Sequence, residues 1–319
     1  MKIVILEADS LGEDIKLDHF FKIGEVAIYG NTTPEQAPER IAEADAVIVN
    51  KLPMNESTLK DAQFVKYIGL TATGTNNIDF AYTNGRGITV TNVAGYSTGA
   101  VAQHTFAMVF YLLEHLRYYD DYVKSGAYTK CETFCHMDRK FNELEGKTWG
   151  IIGLGAIGTR VANLASAFGC EVIYYSASGK KRSEVYRQVD LDTLLAESDI
   201  VSCHAPLNEK TYHLMDYDRF CQMKPTALFI NVGRGPIVDE KGLAKALKKE
   251  KIAAAGLDVL EAEPMDKDNP LRKLDDSDRL LITPHIAWAA VEARNRLLEE
   301  AYKNLKAFQK GEERNVCRG

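Results

Sequence analysis

Three short stretches each set one reactive side chain just past an apolar run. Asn231-Val-Gly-Arg-Gly-Pro-Ile-Val-Asp239 places Arg234 between two glycines, after an apolar run over 227–232. Gly256-Leu-Asp-Val-Leu-Glu-Ala-Glu-Pro264 ends a run at Asp258 and carries Glu263 before a proline. Thr283-Pro-His-Ile-Ala-Trp288 follows the run 280–283 with His285. A planar guanidinium forks onto a carboxylate through two parallel hydrogen bonds. An imidazole gives and takes a proton near neutral pH, and a carboxylate beside it orients the ring. Taken singly, each has a bland alternative: a surface arginine in a Gly-Pro turn, a loop acid, a structural histidine. Three strand ends bringing Arg, Glu and His to one crevice form a catalytic pattern of anion clamp, orienting carboxylate and general acid/base.

A fourth stretch binds rather than reacts. In Trp149-Gly-Ile-Ile-Gly-Leu-Gly-Ala-Ile-Gly158 an apolar run leads into Gly153, Gly155 and Gly158, spaced G-x-G-x-x-G. Val161, Leu164, Ala165 and Phe168 then repeat at helical spacing, and 171–175 reads as a second strand. Strand, glycine turn, helix and strand are the context that a dinucleotide fingerprint needs. Gly153 permits the tight turn, Gly155 lets a pyrophosphate approach the backbone, and Gly158 lets helix and strand pack closely. The N–H groups at the helix start favour phosphate charge. At the end of the second strand an NAD-binding unit normally has an acid for the ribose 2′-OH. This chain has Ser176, with Lys180, Lys181 and Arg182 close behind. NAD is the expected cofactor. NADP is left open, because no carboxylate repels its 2′-phosphate. The basic residues read equally well as a solvated loop.

Stepping outward, short apolar runs alternate with helical patterns along the chain. Strands are expected over 2–6, 26–29, 46–49, 67–70 and 88–91, then over 149–153, 171–175, 200–204, 227–232, 254–258 and 280–283. Helices are expected over 38–43, 55–63, 156–168, 191–197, 216–222 and 240–248. The alternation predicts an α/β protein with two Rossmann-like parallel-sheet domains. Residues 1–98 with 288–319 would form a substrate domain, and 99–287 an inserted NAD(P)-binding domain. A long helix from about 98 to 122 would link them, with His104 as a satisfied core histidine. A long loop is expected over 128–142, and a last helix over 287–308 that returns to the first domain. Thr71-Ala-Thr-Gly-Thr-Asn-Asn-Ile-Asp79 follows the fourth strand. It is either an anion-binding loop or an ordinary βα turn.

Composition bounds the rest. A chain of 319 residues, 45% hydrophobic, can bury a large core and make two domains. A net charge of −6 argues against nucleic acid as a main partner. No apolar run is long enough to span a bilayer, and the first residues lack a signal-peptide layout. A cytoplasmic protein is expected. Six cysteines are scattered, and Cys131 and Cys135 with His136 lack a second ligand cluster, so no metal site is expected.

With these motifs together, the sequence resembles the D-isomer-specific 2-hydroxyacid dehydrogenases over nearly its whole length. Gly153 to Gly158, Asn231 to Gly235, Asp258 to Pro264 and Thr283 to Trp288 match the family's motifs in order. Within the family it is most similar to the glycerate dehydrogenase, or hydroxypyruvate reductase, group. Thr71-Ala-Thr-Gly-Thr-Asn76, Val101-Ala-Gln-His-Thr-Phe-Ala107 and Tyr128-Thr-Lys130 followed by Phe134-Cys135 carry that likeness. The resemblance implies reversible hydride transfer between a nicotinamide cofactor and a small 2-keto acid, hydroxypyruvate to D-glycerate. It implies Arg234, Glu263 and His285 as the catalytic set. Thr73 and Gly74 would hold the substrate carboxylate through backbone N–H groups, with Arg234. Gly153, Gly155, Ala156, Ile157, Gly158 and Ser176 would contact the cofactor. Val232, Gly233, Arg234 and Asp258 would border its nicotinamide end, with His285 and Trp288 close by. Members are usually homodimers. Ser176 departs from the usual acid, and Gln103 stands where many members have Glu. Alternatives are an NAD(H)-sensing corepressor-like protein, or a dehydrogenase for another 2-keto acid or phosphohydroxypyruvate. Because Ser176 stands in place of an acid, Ser176→Asp is expected to weaken NADPH use by repelling the 2′-phosphate. The measurement is kcat/KM with both cofactors; an unchanged preference ratio would remove this position from cofactor contact.

Overall fold

A computed structural model describes residues 1–274 and 278–319. The strands in chain order are β1 (Lys2–Ile5), β2 (Glu25–Ile28), β3 (Ala46–Val49), β4 (Tyr67–Leu70), β5 (Thr89–Thr91), β6 (Thr148–Ile152), β7 (Glu171–Tyr175), β8 (Arg187–Gln188), β9 (Ile200–Cys203), β10 (Leu228–Asn231), β11 (Ala254–Leu257), β12 (Leu280–Ile282) and β13 (Val316–Cys317). The α-helices are α1 (Ala37–Ile41), α2 (Glu56–Leu59), α3 (Phe80–Gly85), α4 (Thr98–Leu113), α5 (Leu116–Lys124), α6 (Ala156–Ala167), α7 (Leu191–Glu197), α8 (Tyr217–Gln222), α9 (Glu240–Lys248) and α10 (Val291–Gln309). The chain divides into two compact units, Met1–Ser97 with Ala289–Gly319, and Thr98–Trp288.

The first unit holds a six-stranded sheet in the order β13-β5-β4-β3-β1-β2. Its strands are parallel except for β13, which runs antiparallel to β5. β3 and β4 are buried at every position, which is why they read as unbroken apolar runs. Side-chain caps start several helices: Asn55 and Thr58 form a capping box on α2, and Asp79 accepts from the Tyr82 N–H on α3. α10 packs on β4, where the Tyr67 and Phe308 rings lie 5.0 Å apart.

The second unit holds a seven-stranded, wholly parallel sheet in the order β12-β11-β10-β9-β6-β7-β8. Its core lies on both faces of the sheet. Trp149 of β6 is fully buried, packs on Phe106 of α4 with ring centres 4.8 Å apart, and donates its indole N–H to Ser202 Oγ at 2.9 Å. Both sheets are the α/β architecture that the alternation of strand and helix predicted.

The structure corrects five local expectations. The helix expected over 55–63 is a single turn, Glu56–Leu59. The long helix over 98–122 is broken: α4 ends at Leu113, His115 takes a left-handed conformation at φ 51°, and α5 restarts at Leu116. That backbone cannot continue a right-handed helix. The stretch expected as a loop from 128 opens on a 3-10 turn, Ala127–Lys130. The last helix starts at Val291, four residues later than expected, and the Ala287 N–H donates instead to the Asp258 carboxylate at 2.8 Å. β8 and β13 were not expected at all; at two residues each they are too short to show a period.

Among the described residues, no helix is long and apolar enough to cross a membrane. Trp149→Ala removes a buried ring and orphans its hydrogen bond. It is expected to cost about 3–5 kcal/mol of stability. Urea denaturation checks this, and a loss below ~1 kcal/mol would show that Trp149 does not anchor this core.

Candidate active site

The glycine turn has the geometry of a phosphate cradle. Gly153 sits at φ 94° and donates its N–H to the Tyr175 carbonyl at 3.0 Å. A Cβ there would come within 2.7 Å of the Ala205 backbone. A Cβ at Gly158 would lie 2.3 Å from the Gly153 carbonyl oxygen, so α6 starts pressed against the turn. Gly155 is the opposite case: a Cβ there would meet nothing within 4 Å. It precedes α6 in extended conformation, and no side chain caps the helix. The N–H groups of Gly155, Ala156 and Ile157 donate to no protein acceptor among the described residues. Uncapped donors beside open space at a helix N-terminus fit a dinucleotide pyrophosphate.

Ser176 follows β7 directly and is buried. Its Oγ lies 3.1 Å from Ser178 Oγ, and its carbonyl accepts the Gly179 N–H at 2.8 Å. A cavity of ≈640 Å³ opens beside it, lined by Tyr175, Ser176, Gly179, Gln188 and Val189 among others. Lys180, Lys181 and Arg182 are exposed, and Lys181 pairs with Glu184.

Asn231, wholly buried at the end of β10, shapes the next turn. Its Oδ1 accepts the Gly233 N–H at 3.0 Å, and its Nδ2 donates to the Arg234 carbonyl at 3.0 Å. Val232 is buried beneath. The Arg234 guanidinium donates to the Gly233 carbonyl at 2.8 Å and, among the described residues, pairs with no carboxylate. A Cβ on Gly235 would meet the Leu260 carbonyl oxygen at 1.8 Å, so this turn lies directly against the loop that carries Glu263.

Glu263 and His285 are in contact. Oε2 of Glu263 lies 2.7 Å from Nδ1 of His285, and Oε1 accepts the Leu260 N–H at 3.0 Å. The carboxylate thus receives the Nδ1 proton and leaves Nε2 as the nitrogen able to move one. His285 sits at φ 55° in a turn built on Asp258. The buried Asp258 carboxylate accepts from Thr283 Oγ1 at 2.6 Å, from the Ile286 N–H at 2.8 Å and from the Ala287 N–H at 2.8 Å. Its carbonyl accepts the His285 N–H at 2.8 Å. Asp258 was expected beside the cofactor; both of its oxygens are engaged in holding this turn, and Trp288 just after it is partly buried against the core. His104 joins the same network. Its Nε2 lies 3.1 Å from Thr283 Oγ1, which in turn donates to Asp258. His104 is hydrogen-bonded, as a core position requires, but its partner belongs to the site.

In the first unit, Thr73 and Gly74 follow β4. Thr73 Oγ1 donates to the Val93 carbonyl at 2.9 Å, and Asn92 Nδ2 donates to the Thr73 carbonyl at 2.6 Å. The Thr73 and Gly74 N–H groups have no protein acceptor among the described residues. The loop is therefore fixed while its donors stay available.

Sequence reasoning missed the end of β9. Ala205 is wedged between two of the glycine turns: its backbone would touch a Cβ at Gly153, and its carbonyl oxygen one at Gly233 at 3.1 Å. Beside it, burial pushes the His204 imidazole down to about 3, so the ring is neutral. The strand was expected, and its carboxyl end lies on the same sheet edge as Arg234 and His285. Extending the strand-end argument to it would have found both residues. The Cys131, Cys135 and His136 stretch is organised differently: His136 stacks on Tyr122 at 3.7 Å and lies 2.8 Å from Tyr118 Oη.

Comparison with known proteins gives the family. The NAD-binding domain of the D-isomer specific 2-hydroxyacid dehydrogenases matches residues 106–287. The chain is similar to a hydroxypyruvate reductase of Blautia hydrogenotrophica, at 35% identity over 322 residues and 99% of each chain. It is similar to a glycerate dehydrogenase of Methylorubrum extorquens, at 36% identity over 319 residues, 99% of this chain and 98% of the relative. Among solved structures, the D-lactate dehydrogenase from Aquifex aeolicus complexed with NAD and lactic acid superposes with a TM-score of 0.87. Identity there is 30%, covering 100% of this chain and 99% of that one. Matched along its full length by such enzymes, and carrying their NAD-binding domain, the chain belongs to the D-isomer-specific 2-hydroxyacid dehydrogenases, nicotinamide-dependent oxidoreductases.

Proposed function

We propose that the chain interconverts hydroxypyruvate and D-glycerate with NAD(H), and accepts NADP(H) as well. The observation that carries the acid–base reading is the 2.7 Å contact between Glu263 and His285. The likeness to a hydroxypyruvate reductase and a glycerate dehydrogenase supports the substrate. Ser176 in place of an acid supports the broader cofactor use. The unit Met1–Ser97 with Ala289–Gly319 is the substrate domain, and Thr98–Trp288 the cofactor domain.

A nicotinamide cofactor, when bound, would supply the hydride for the keto carbon. Gly153, Gly155, Ala156, Ile157, Gly158 and Ser176 would hold the dinucleotide, and Val232, Gly233, Arg234, Asp258, His285 and Trp288 would border its reactive end. Arg234 forks onto the substrate carboxylate. The Thr73 and Gly74 N–H groups are carboxylate donors. His285, protonated, gives its Nε2 proton to the carbonyl oxygen as that oxygen gains charge, and takes it back in the reverse direction. Glu263 holds the ring by Nδ1 and offsets the charge of the imidazolium. Homodimer formation is part of the reading: Val123, Phe134, Met137 and Phe141 on α5 and the following loop are exposed apolar side chains that a second copy would cover. Six unpaired thiols fit a cytoplasmic location.

Three measurements test this. Across hydroxypyruvate, glyoxylate, pyruvate and phosphohydroxypyruvate, kcat/KM is expected to be highest for hydroxypyruvate; a higher value for another acid overturns the substrate assignment. Arg234→Lys keeps the charge and loses the fork. It is expected to lower kcat/KM roughly 100-fold, the scale of one lost oriented donor, with NADH binding near normal. Turnover close to wild type would remove Arg234 from the catalytic set. Glu263→Gln keeps the shape and removes the carboxylate that receives the His285 Nδ1 proton. It is expected to lower kcat/KM on the order of 100-fold in both directions, with NADH binding near normal. Wild-type turnover in the variant would contradict Glu263 and His285 as the acid–base pair.

A further inference from the structure

A buried carboxylate outside the reacting groups holds the loop that carries Glu263. Glu240 is the first residue of α9 and is only 5% exposed. Its Oε1 accepts the Glu261 N–H at 2.7 Å, and its Oε2 accepts from Asn269 Nδ2 at 2.5 Å. Those two partners bracket Glu263 in the chain. Asn269 is itself 5% exposed, and its Oδ1 accepts the Leu271 N–H at 2.9 Å, which fixes the amide with Nδ2 toward Glu240. The segment between is tied back to its flanks: the Asn269 N–H donates to the Asp266 carbonyl at 3.1 Å, and the Leu260 N–H to Glu263 Oε1 at 3.0 Å. One side chain therefore clamps both ends of an otherwise irregular loop.

A charge in the core is costly unless every oxygen is bonded. Elsewhere on α9, Leu243 and Leu247 fill buried positions with apolar side chains. The carboxylate at 240 is accounted for by the two donors it holds. The contact it protects is sensitive, since the hydrogen bond from His285 to Glu263 weakens steeply with distance and angle. Misplacing a reacting group by about 1 Å can cost on the order of 100-fold in rate.

We propose that Glu240 is a positioning residue for the reaction: its carboxylate sets the place of Glu263 and, through it, the orientation of the His285 ring. The inference rests on the reading of Glu263 and His285 as the acid–base pair.

The test uses the hydrogen-bond inventory of the side chains. Glu240→Gln offers one acceptor and one donor where two acceptors are needed, so one of the two anchors faces a donor. In the purified full chain, kcat/KM for reduction is expected to fall on the order of 10- to 100-fold, with NADH affinity by fluorescence near wild type. Asn269→Asp added to Glu240→Gln restores the complement, because the glutamine amide then donates to the new carboxylate while its oxygen accepts from Glu261. That double variant is expected to recover most of the lost rate. In the Glu263→Gln background, Glu240→Gln should cost little more, as coupled residues are non-additive. An equal cost in both backgrounds, no rescue, or wild-type turnover in Glu240→Gln overturns the proposal. If Glu240→Gln does not fold, Asn269→Ala removes one anchor and must show the same loss and the same non-additivity. Wild-type turnover in Glu263→Gln alone would instead sink the acid–base reading, and this inference with it.

Discussion

The acid–base turn depends on one buried group, the Asp258 carboxylate. His285 occupies a left-handed backbone conformation that costs a side-chain-bearing residue roughly 1–2 kcal/mol. Against this stand three hydrogen bonds to a charged acceptor, from Thr283 Oγ1, Ile286 N and Ala287 N. Bonds to charged groups contribute about 1.5–3 kcal/mol each. The carboxylate therefore outweighs the strain. The ring it presents meets Glu263, and His104 reaches the same network from α4. The strain is stored at the ring proposed as the proton donor, and functional sites are where such conformations concentrate.

The same division recurs around the site. The groups proposed to face the substrate or cofactor sit on loops, and each loop is fixed from behind by a polar side chain that is buried and fully engaged. Asn231 does this for the Arg234 turn, Asp258 for the His285 turn and Glu240 for the Glu263 loop. Regular parallel strands deliver the chain to the edge, and these side chains shape what happens beyond it.

Much of this was legible in the sequence. Buried strands read as apolar runs, so β3, β4 and β7 have the ends expected of them. The glycine turn was legible because its requirements are steric and few residues meet them. Arg234, Glu263 and His285 were legible from their places after strands. What was hidden is physical in kind. The two-residue strands β8 and β13 carry no period. The break at His115 lacks the glycine that usually marks a left-handed residue. Glu240 looks like an ordinary first-turn acid, since sequence shows its helix position but not the distant N–H groups it receives. Asp258 was placed at the site by its strand end, but that its oxygens are committed to a turn is a fact of three dimensions.

The first unit is closed by the last segment of the chain. α10 lies on β4, and β13 adds an antiparallel edge to β5, with Val316 opposite Thr91. On a ribosome these partners are separated by the whole of Thr98–Trp288. That contiguous unit can bury its own core as soon as it emerges, while the first five strands wait with one face and one edge unfinished. Synthesis thus imposes an order of assembly: the inserted unit matures first, and the unit at the start of the chain matures last. Until β13 pairs with it, the β5 edge is an open pairing template.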